Sequence, residues 1–261
     1  MIVTLRRRPH FGTSEQVHQT GLLGTADPAA LFSFDGVRVE RGDRTVLDLD
    51  HAVIPIDGAT AIIGPSGSGK STLLRLCNRL EAPTAGTIRY RGNDLAAMEP
   101  TELRRRVAMV FQQPVALGGT AADNLREADP TLDVDRIEDA LLRVGLSAAL
   151  ACRPARDLSG GERQRLGLAR SLTTHPDVVL LDEATSALDP GNAARIEDLV
   201  AGLSIDGITP IWVTHDLDQL RRIARNVLVV VAGKVVQHGL VEDVLARPIP
   251  EVDQFLRGEE R

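Results

Sequence analysis

Gly64-Pro65-Ser66-Gly67-Ser68-Gly69-Lys70-Ser71-Thr72 is the stretch on which the fold turns. It matches in full the pattern of a loop that wraps a phosphate chain. Its glycines let the backbone curl closely around an anion and aim N–H groups inward. A helix that follows such a loop turns its positive N-terminal end toward the phosphates. Lys70 brings a point charge to the β- and γ-phosphates, and Ser71 offers a hydroxyl to Mg2+. Upstream, Ala59–Ile63 is a short apolar run ending in glycine, as expected of a buried parallel strand. Downstream, Leu73, Leu74, Leu76 and Leu80 recur at helical spacing. Strand, glycine loop and helix in that order make a chance glycine-rich turn a poor reading. The loop alone specifies a bound nucleoside triphosphate and leaves kinases, GTPases and motors open.

Working outward, Val37, Val39, Val46, Leu47 and Leu49 predict short strands around an Arg41–Arg44 turn. Gly86–Tyr90, Val107–Phe111, Val178–Leu181, Ile208–Thr214 and Val227–Val231 predict further strands, with a helix from about Asn192 to Leu203. Strands alternating with helices point to a mostly parallel α/β core. From about Gln113 to Asp157 the pattern changes to helical. Ile137, Ala140, Leu141 and Val144 share one face, and Asp129-Pro130 is a break before that helix. This segment, about 113–157, reads as a lobe inserted in a domain spanning 31–258. Residues 1–30 read as a disordered extension: Arg6, Arg7 and Arg8 are not followed by an apolar run, so the segment is no secretory signal.

The bulk numbers narrow the function classes. The chain of 261 residues is 43% hydrophobic and 25% charged, which is ordinary for a globular protein. No apolar run approaches the roughly 20 residues that span a bilayer, so any role in transport calls for separate membrane subunits. A net charge of -6 argues against nucleic acid as a partner. Cys77 and Cys152 form no framework of bridges, suit a reducing cytosol and read as small buried hydrophobes.

Leu158-Ser159-Gly160-Gly161-Glu162-Arg163-Gln164 opens a second helix with another small-residue turn. Serine and glycine at a helix start make a second anion site by the same physics. Two γ-phosphate sites in one chain make sense when the second serves a partner's nucleotide. With these two motifs the chain resembles the ATP-binding cassette (ABC) family, whose signature motif is LSGGQ-like; Glu162 stands here for the commoner glutamine. The resemblance runs from about Phe32 to the C-terminus.

It implies an α/β phosphate-loop NTPase core with a mostly parallel sheet, an N-terminal antiparallel β part and an inserted helical lobe. It implies ATP and Mg2+ as ligands and hydrolysis of ATP coupled to transport. Asp182, at the end of the strand Val178–Leu181, resembles the Mg2+-associated carboxylate, and Glu183 resembles the base that activates water. Gln112 resembles the glutamine that reaches the metal and the attacking water, and His215 the histidine that senses the γ-phosphate. Ser186-Ala187-Leu188-Asp189 resembles the loop that crosses a dimer interface. The resemblance further implies a second copy in a homodimer, permease subunits, a solute-binding protein in importers, and a place on the cytoplasmic face of the membrane.

The sequence departs from the family at the adenine site. Where many members stack the base on an aromatic residue, alignment places Arg41; its plane can stack on a base, or it can be solvated. Phe32 and Phe34 are the nearest aromatic substitutes. Ala184 stands where proline is common. Asn78-Arg79-Leu80, Leu103–Val107 and Phe111-Gln112-Gln113-Pro114-Val115 resemble the phosphate-importer ATPases, with Arg104–Arg106 otherwise a solvated helix end. Gly119-Thr120-Ala121-Ala122-Asp123-Asn124-Leu125 resembles a related branch with bacterial iron-export ATPases and plant aluminium-tolerance half-transporters. Two other readings compete: a soluble ABC ATPase of repair or translation, against which neither heptads nor a second phosphate loop is present, and a regulatory module that binds ATP without hydrolysis, against which stand Lys70, Glu183 and His215.

Overall fold

The computed structural model describes residues 29–113 and 116–258. The extension read at 1–30 falls almost wholly outside them, as do Pro114 and Val115. The chain enters on β1 (Ala30–Arg41), turns at Gly42-Asp43 and returns on β2 (Arg44–Pro55). These strands are twelve residues each, not the short ones expected. Ser33, Asp35, Arg38 and Glu40 alternate with buried Phe32, Phe34, Val37 and Val39, so half of β1 is polar. A reading keyed on apolar residues sees only part of such a half-buried strand. After β3 (Thr60–Ile63) and α1 (Lys70–Leu76), the strands β4 (Ala85–Tyr90) and β5 (Asn93–Asp94) complete an antiparallel sheet of order β2-β1-β4-β5.

Helix α1 ends at Leu76, so Leu80 is not on its apolar face and is 43% exposed. Helix α2 (Pro100–Arg106) leads directly into β6 (Val107–Val110). Two of its three arginines are tied down: Arg104 donates to the Arg79 carbonyl at 2.7 Å, and Arg106 to Asp177 at 2.8 Å, while Arg105 is exposed. Tyr90 donates to the same carboxylate at 2.9 Å, which clamps the antiparallel sheet to the head of the larger one. Burial and this hydrogen bond push the Tyr90 phenol up to about 12.

Between β6 and the next strand lie α3 (Ala121–Arg126), α4 (Val134–Arg143) and α5 (Gly160–Thr173). Ile137, Leu141 and Val144 pack from α4 and its C-cap against Leu166 and Leu168 of α5 within one apolar cluster. Cys152 lies in this region and is exposed, which corrects its reading as a buried hydrophobe; Cys77 is buried. The backbone then alternates through β7 (Val178–Asp182), α6 (Pro190–Leu203), β8 (Thr209–Val213), α7 (Leu217–Ile223), β9 (Asn226–Val231), β10 (Lys234–Leu240), α8 (Val241–Ala246) and α9 (Pro250–Leu256).

The large sheet has the order β10-β9-β3-β8-β7-β6, parallel throughout except for the antiparallel edge strand β10. Its parallel strands are apolar on both faces, as burial between two layers requires. Along β7, Val178 and Leu180 join the cluster beneath α1 and the antiparallel sheet, while Val179 and Leu181 join that of α5 and α6. Helices α7, α8 and α9 cover the β3–β9 end with Ala61, Ile63, Val227 and Val229.

The start of α5 carries its own stabilising device. Ser159 Oγ accepts from the Glu162 N–H at 3.3 Å, and Glu162 Oε2 accepts from the Ser159 N–H at 2.7 Å. This reciprocal capping box satisfies two helix-end donors. The Ser159 backbone N–H, then its side chain, hold the Glu162 carboxyl below the usual glutamate range. A lowered folded-state pKa means the stabilisation is present above the unfolded value and is lost as pH falls through the folded one. Ser159→Ala should cost about 1 kcal/mol in thermal unfolding. Glu162→Gln should show a smaller deficit near neutral pH that closes below the ordinary glutamate range. A deficit for Glu162→Gln that is the same at both pH values would show that the charge of Glu162 plays no part.

Candidate functional site

Strands β9, β3, β8, β7 and β6 run in one direction, so their carboxyl ends share one edge of the sheet. The crevice outside such ends is where open α/β sheets bind ligands. Gly64 follows β3, Phe111-Gln112 follow β6, Glu183 follows β7, and Thr214-His215 follow β8. The candidate residues, 151 positions apart at their extremes in numbering, Gly64 and His215, thus meet because their strands end together.

The loop 64–69 fits between two neighbours that leave no space for a side chain. At Gly64 (φ 144°) a Cβ would stand 1.9 Å from the Val230 carbonyl oxygen of β9. At Gly69 (φ 107°), the N-cap of α1, a Cβ would stand 2.7 Å from Leu47 Cδ2. The loop is stitched in place by Gly233, whose N–H donates to the Ser68 carbonyl at 3.0 Å while its own carbonyl accepts from the Asp48 N–H at 2.8 Å. Lys70 is only 7% exposed, and its ammonium donates to the carbonyls of Gly64 at 2.7 Å and Pro65 at 2.6 Å. Ser71 Oγ donates to Asp182 Oδ1 at 2.7 Å, and Arg75 reaches the other oxygen, Oδ2, at 3.4 Å.

Two observations test whether this cradle suits a nucleotide with Mg2+. Ser68 Oγ is buried within the loop and has no hydrogen-bond partner among the described residues. An orphan hydroxyl in a positively charged, glycine-walled loop is a ready donor to a phosphate oxygen. The Ser71 hydroxyl and the Asp182 carboxylate form a hard oxygen pair. Mg2+ takes one or two such protein ligands with water and phosphate completing its shell. The residues therefore fit both groups. Among the described residues no cluster of three or more His, Cys, Asp or Glu side chains could hold a metal by itself.

Gln112 Nε2 donates to Glu183 Oε2 at 3.1 Å and to Ser186 Oγ at 3.2 Å. Glu183 takes a left-handed backbone (φ 46°), unusual for a side-chain-bearing residue and held by its N–H donating to the Val213 carbonyl at 3.1 Å. Strain of this kind costs on the order of 1 kcal/mol and collects at functional turns. Glu183 borders two hollows. One, of about 450 Å3, spreads over Lys70, Ser71, Thr72 and Arg41; the other, of about 500 Å3, is lined by His215 and Ser186. His215 is exposed.

The second small-residue turn stands apart from this group. Ser159 bonds within its capping box, and Gly161 is buried with Asn192 so close that a Cβ would meet its side chain at 2.6 Å. Gly161 thus sets the approach of α5 to α6; Gly160 faces open space. Asp189 of the stretch 186–189 caps α6, accepting from the Asn192 N–H at 3.0 Å and its side chain at 2.7 Å. Arg41 is solvated, with 55% of its side chain exposed, but it is held: its guanidinium clasps Glu81 at 2.6 and 2.8 Å and donates to Thr72 Oγ1 at 3.3 Å. Phe32 and Phe34 are fully buried in the core, which rules them out as adenine platforms. Ala184 is buried, 2% exposed.

Sequence reasoning missed several polar residues that hold the site. Gln164 donates to the Phe111 carbonyl at 3.0 Å and so fixes the residue before Gln112. Gln219 donates to Thr185 Oγ1 and Glu197 Oε1, both at 2.8 Å. Glutamine and glutamate are exposed by default, and no local pattern marks these as buried.

Comparison with known proteins agrees with the geometry. The family model described as ABC transporter matches residues 52–186, just over half of the chain. The methionine import ATP-binding protein MetN of Caulobacter vibrioides is 47% identical over 198 residues, which are 72% of this chain and 59% of that protein. This chain therefore spans about three-fifths of that relative's length. Protein STAR1 of Oryza sativa is 44% identical over 239 residues, 88% of this chain and 68% of that one. Among solved structures, cbiO1 of Clostridium perfringens, part of the ABC transporter complex cbiONQ, superposes with a TM-score of 0.74 at 28% identity, over 88% of this chain and 96% of that one. With the phosphate loop, the strand-end carboxylates and these relatives in agreement, the chain belongs to the ABC transporter family.

Proposed function

We propose that this chain is the ATP-binding and ATP-hydrolysing subunit of an ABC transporter, a dimer of two copies that drives separate permease subunits from the cytoplasmic face of a membrane. The observation that carries this reading is the 2.7 Å bond from Ser71 Oγ to Asp182 Oδ1. It joins the phosphate loop to the end of β7, beside which Glu183 and Gln112 meet. Among the described residues no helix is long and apolar enough to cross a membrane, in keeping with a division of labour between motor and permease.

Lys70 and the loop N–H groups hold the phosphates, with the Ser68 hydroxyl as a further donor. Ser71 and Asp182 would hold Mg2+, which supplies neutralisation of phosphate charge. Glu183 accepts a proton from water as the water oxygen bonds to the γ-phosphorus and the bond to the bridging oxygen of ADP breaks. Gln112, already against Glu183, orients that water, and His215 answers to the γ-phosphate. The helix start at Ser159, Gly160 and Gly161 serves a second copy's nucleotide. The solute is small and polar: local runs suggest phosphate or another inorganic ion, and the name of the Caulobacter relative suggests an amino acid. In importers a solute-binding protein delivers it.

Lys70→Ala should abolish binding or hydrolysis of Mg-ATP, measured by calorimetry and phosphate release; wild-type turnover in that variant would refute the site. Glu183→Gln should bind Mg-ATP normally but lose roughly 100- to 10,000-fold in turnover, and should accumulate as a dimer on size exclusion with Mg-ATP. Only monomer under those conditions would count against the two-copy arrangement.

A mixing experiment tests the shared site directly. In a head-to-tail dimer of Lys70→Ala with Ser159→Arg, one composite site carries both lesions and the other is intact. Each variant alone should be inactive, and activity should return in part on mixing. If Ser159→Arg alone keeps full turnover, independent of protein concentration, Ser159 is a helix cap and nothing more.

A further inference from the structure

Beneath the hollow shared by Glu183 and His215, one carboxylate is buried where packing alone would favour an apolar side chain. Glu197 sits on α6 beside Ile196, Val200 and Leu203, which belong to the apolar core, and is itself 8% exposed. Burying a carboxylate is costly unless it is paired and fully hydrogen-bonded. Both oxygens are committed. Arg222 of α7 forks onto Oε2 at 3.0 and 2.8 Å, and the Gln219 amide donates to Oε1 at 2.8 Å. Gln219, 4% exposed, gives its amide nitrogen also to Thr185 Oγ1 at 2.8 Å.

This amide lies between two segments that carry site residues. Thr185 is two positions after Glu183, in the turn closed by the Ser186 N–H to the Glu183 carbonyl at 3.1 Å. Gln219 is in the first turn of α7, capped by Asp216 Oδ1 at 3.0 Å from its N–H, and Asp216 follows His215. Displacing Gln219 would release both segments, and Glu197 with Arg222 fixes Gln219.

We propose that Glu197 is a positioning residue for hydrolysis: through Gln219 it sets the distance between the Glu183 turn and His215, without touching the nucleotide. The proposal rests on the hydrolase reading above. It gives this ion pair, in which Glu197 is buried while the Arg222 side chain is 55% exposed, a role in specifying one arrangement rather than in net stability, to which a pair with an exposed partner adds little.

The test is steady-state hydrolysis of Mg-ATP by the full chain, with Mg-ATP binding by calorimetry and thermal melting measured alongside. Glu197→Ala and Gln219→Leu should each lower kcat by roughly 10- to 100-fold, the loss expected of a small misplacement of reacting groups. KM and Kd should stay within about twofold, because the phosphate loop is untouched. The double variant should be no slower than the slower single one, since both break one link. Glu197→Gln, which keeps an acceptor for Gln219, should recover most of the lost turnover. If Glu197→Ala does not fold, Gln219→Leu decides, because leucine keeps the volume of the amide side chain. Wild-type kcat in folded Glu197→Ala or Gln219→Leu would overturn the proposal, as would full additivity in the double variant. Failure of the wild type to hydrolyse ATP would instead overturn the hydrolase reading, and the proposal with it.

Discussion

Because β9, β3, β8, β7 and β6 all point the same way, the phosphate loop, Gln112, Asp182, Glu183 and His215 meet at one edge, where their strands end. Parallel strands cannot be joined by tight turns, so each is separated from the next by helices and loops that must cross a face of the sheet. The consequence is visible at Ser71 and Asp182, which are 111 positions apart in sequence and 2.7 Å apart in space. The same arrangement forces close packing where the phosphate loop leaves β3. The Val230 carbonyl of β9 excludes any side chain at Gly64, and Leu47 of the antiparallel sheet excludes one at Gly69. The loop is shaped by neighbouring strands as much as by its own glycines.

Charge at this edge is balanced locally. Lys70 is buried and donates to two carbonyls; Asp182 is buried and accepts from Ser71 and Arg75. A nucleotide phosphate would compete with carbonyl oxygens for the Lys70 ammonium, and a charged acceptor makes the stronger hydrogen bond. Glu183 is different: its carboxylate borders both hollows and takes one bond from Gln112. That bond links the loop after β6, where the helical segment departs, to the residue read as the base. Gln164, on α5, anchors the same loop from the other side. A shift of α5 would therefore be felt at Gln112, a mechanical connection made of two hydrogen bonds.

The fold was legible in the sequence where apolar runs were continuous. β3, β6, β7, β8 and β9 are buried on both faces, so each shows as an uninterrupted run of the right length. The long hairpin was only half legible, since its outer face is polar, and Leu80 was assigned to a helix that had already ended. β10 was missed for a related reason: Gln237, His238 and Gly239 interrupt any apolar pattern on an edge strand. Of the candidate site, the glycine loop stood out by residue types at fixed spacing, and the strand-end acids were picked out through the family resemblance. Gln164, Glu197 and Gln219 could not be read, because their function comes from tertiary neighbours. Arg41 shows the same limit. Its clasp on Glu81, 40 positions away, could not be inferred from either residue, yet it fixes the guanidinium beside the loop where an aromatic ring would otherwise stand.

The departure at Glu162 has a consequence for the two-copy arrangement. A helix N-terminus attracts an anion through its unpaired N–H groups and its partial positive charge. Here Ser159 Oγ engages the Glu162 N–H, and the Glu162 carboxylate engages the Ser159 N–H. The box leaves the first-turn amides of Gly160 and Gly161 to a ligand, and the Gly160 side of the turn is open. It also places a negative charge, on a carboxyl whose pKa is lowered by its hydrogen bonds to Ser159, within one turn of that ligand. A glutamine at the same position would complete the box without that charge. Under the proposed two-copy arrangement, a second copy's phosphates would be held at α5 against the field of Glu162, so the grip of that copy's Lys70 and loop would have to supply more of the total. Such a site would close more readily when salt screens the repulsion. The stability of one helix start and the strength of the proposed shared site would then pull in opposite directions, both through a single carboxylate.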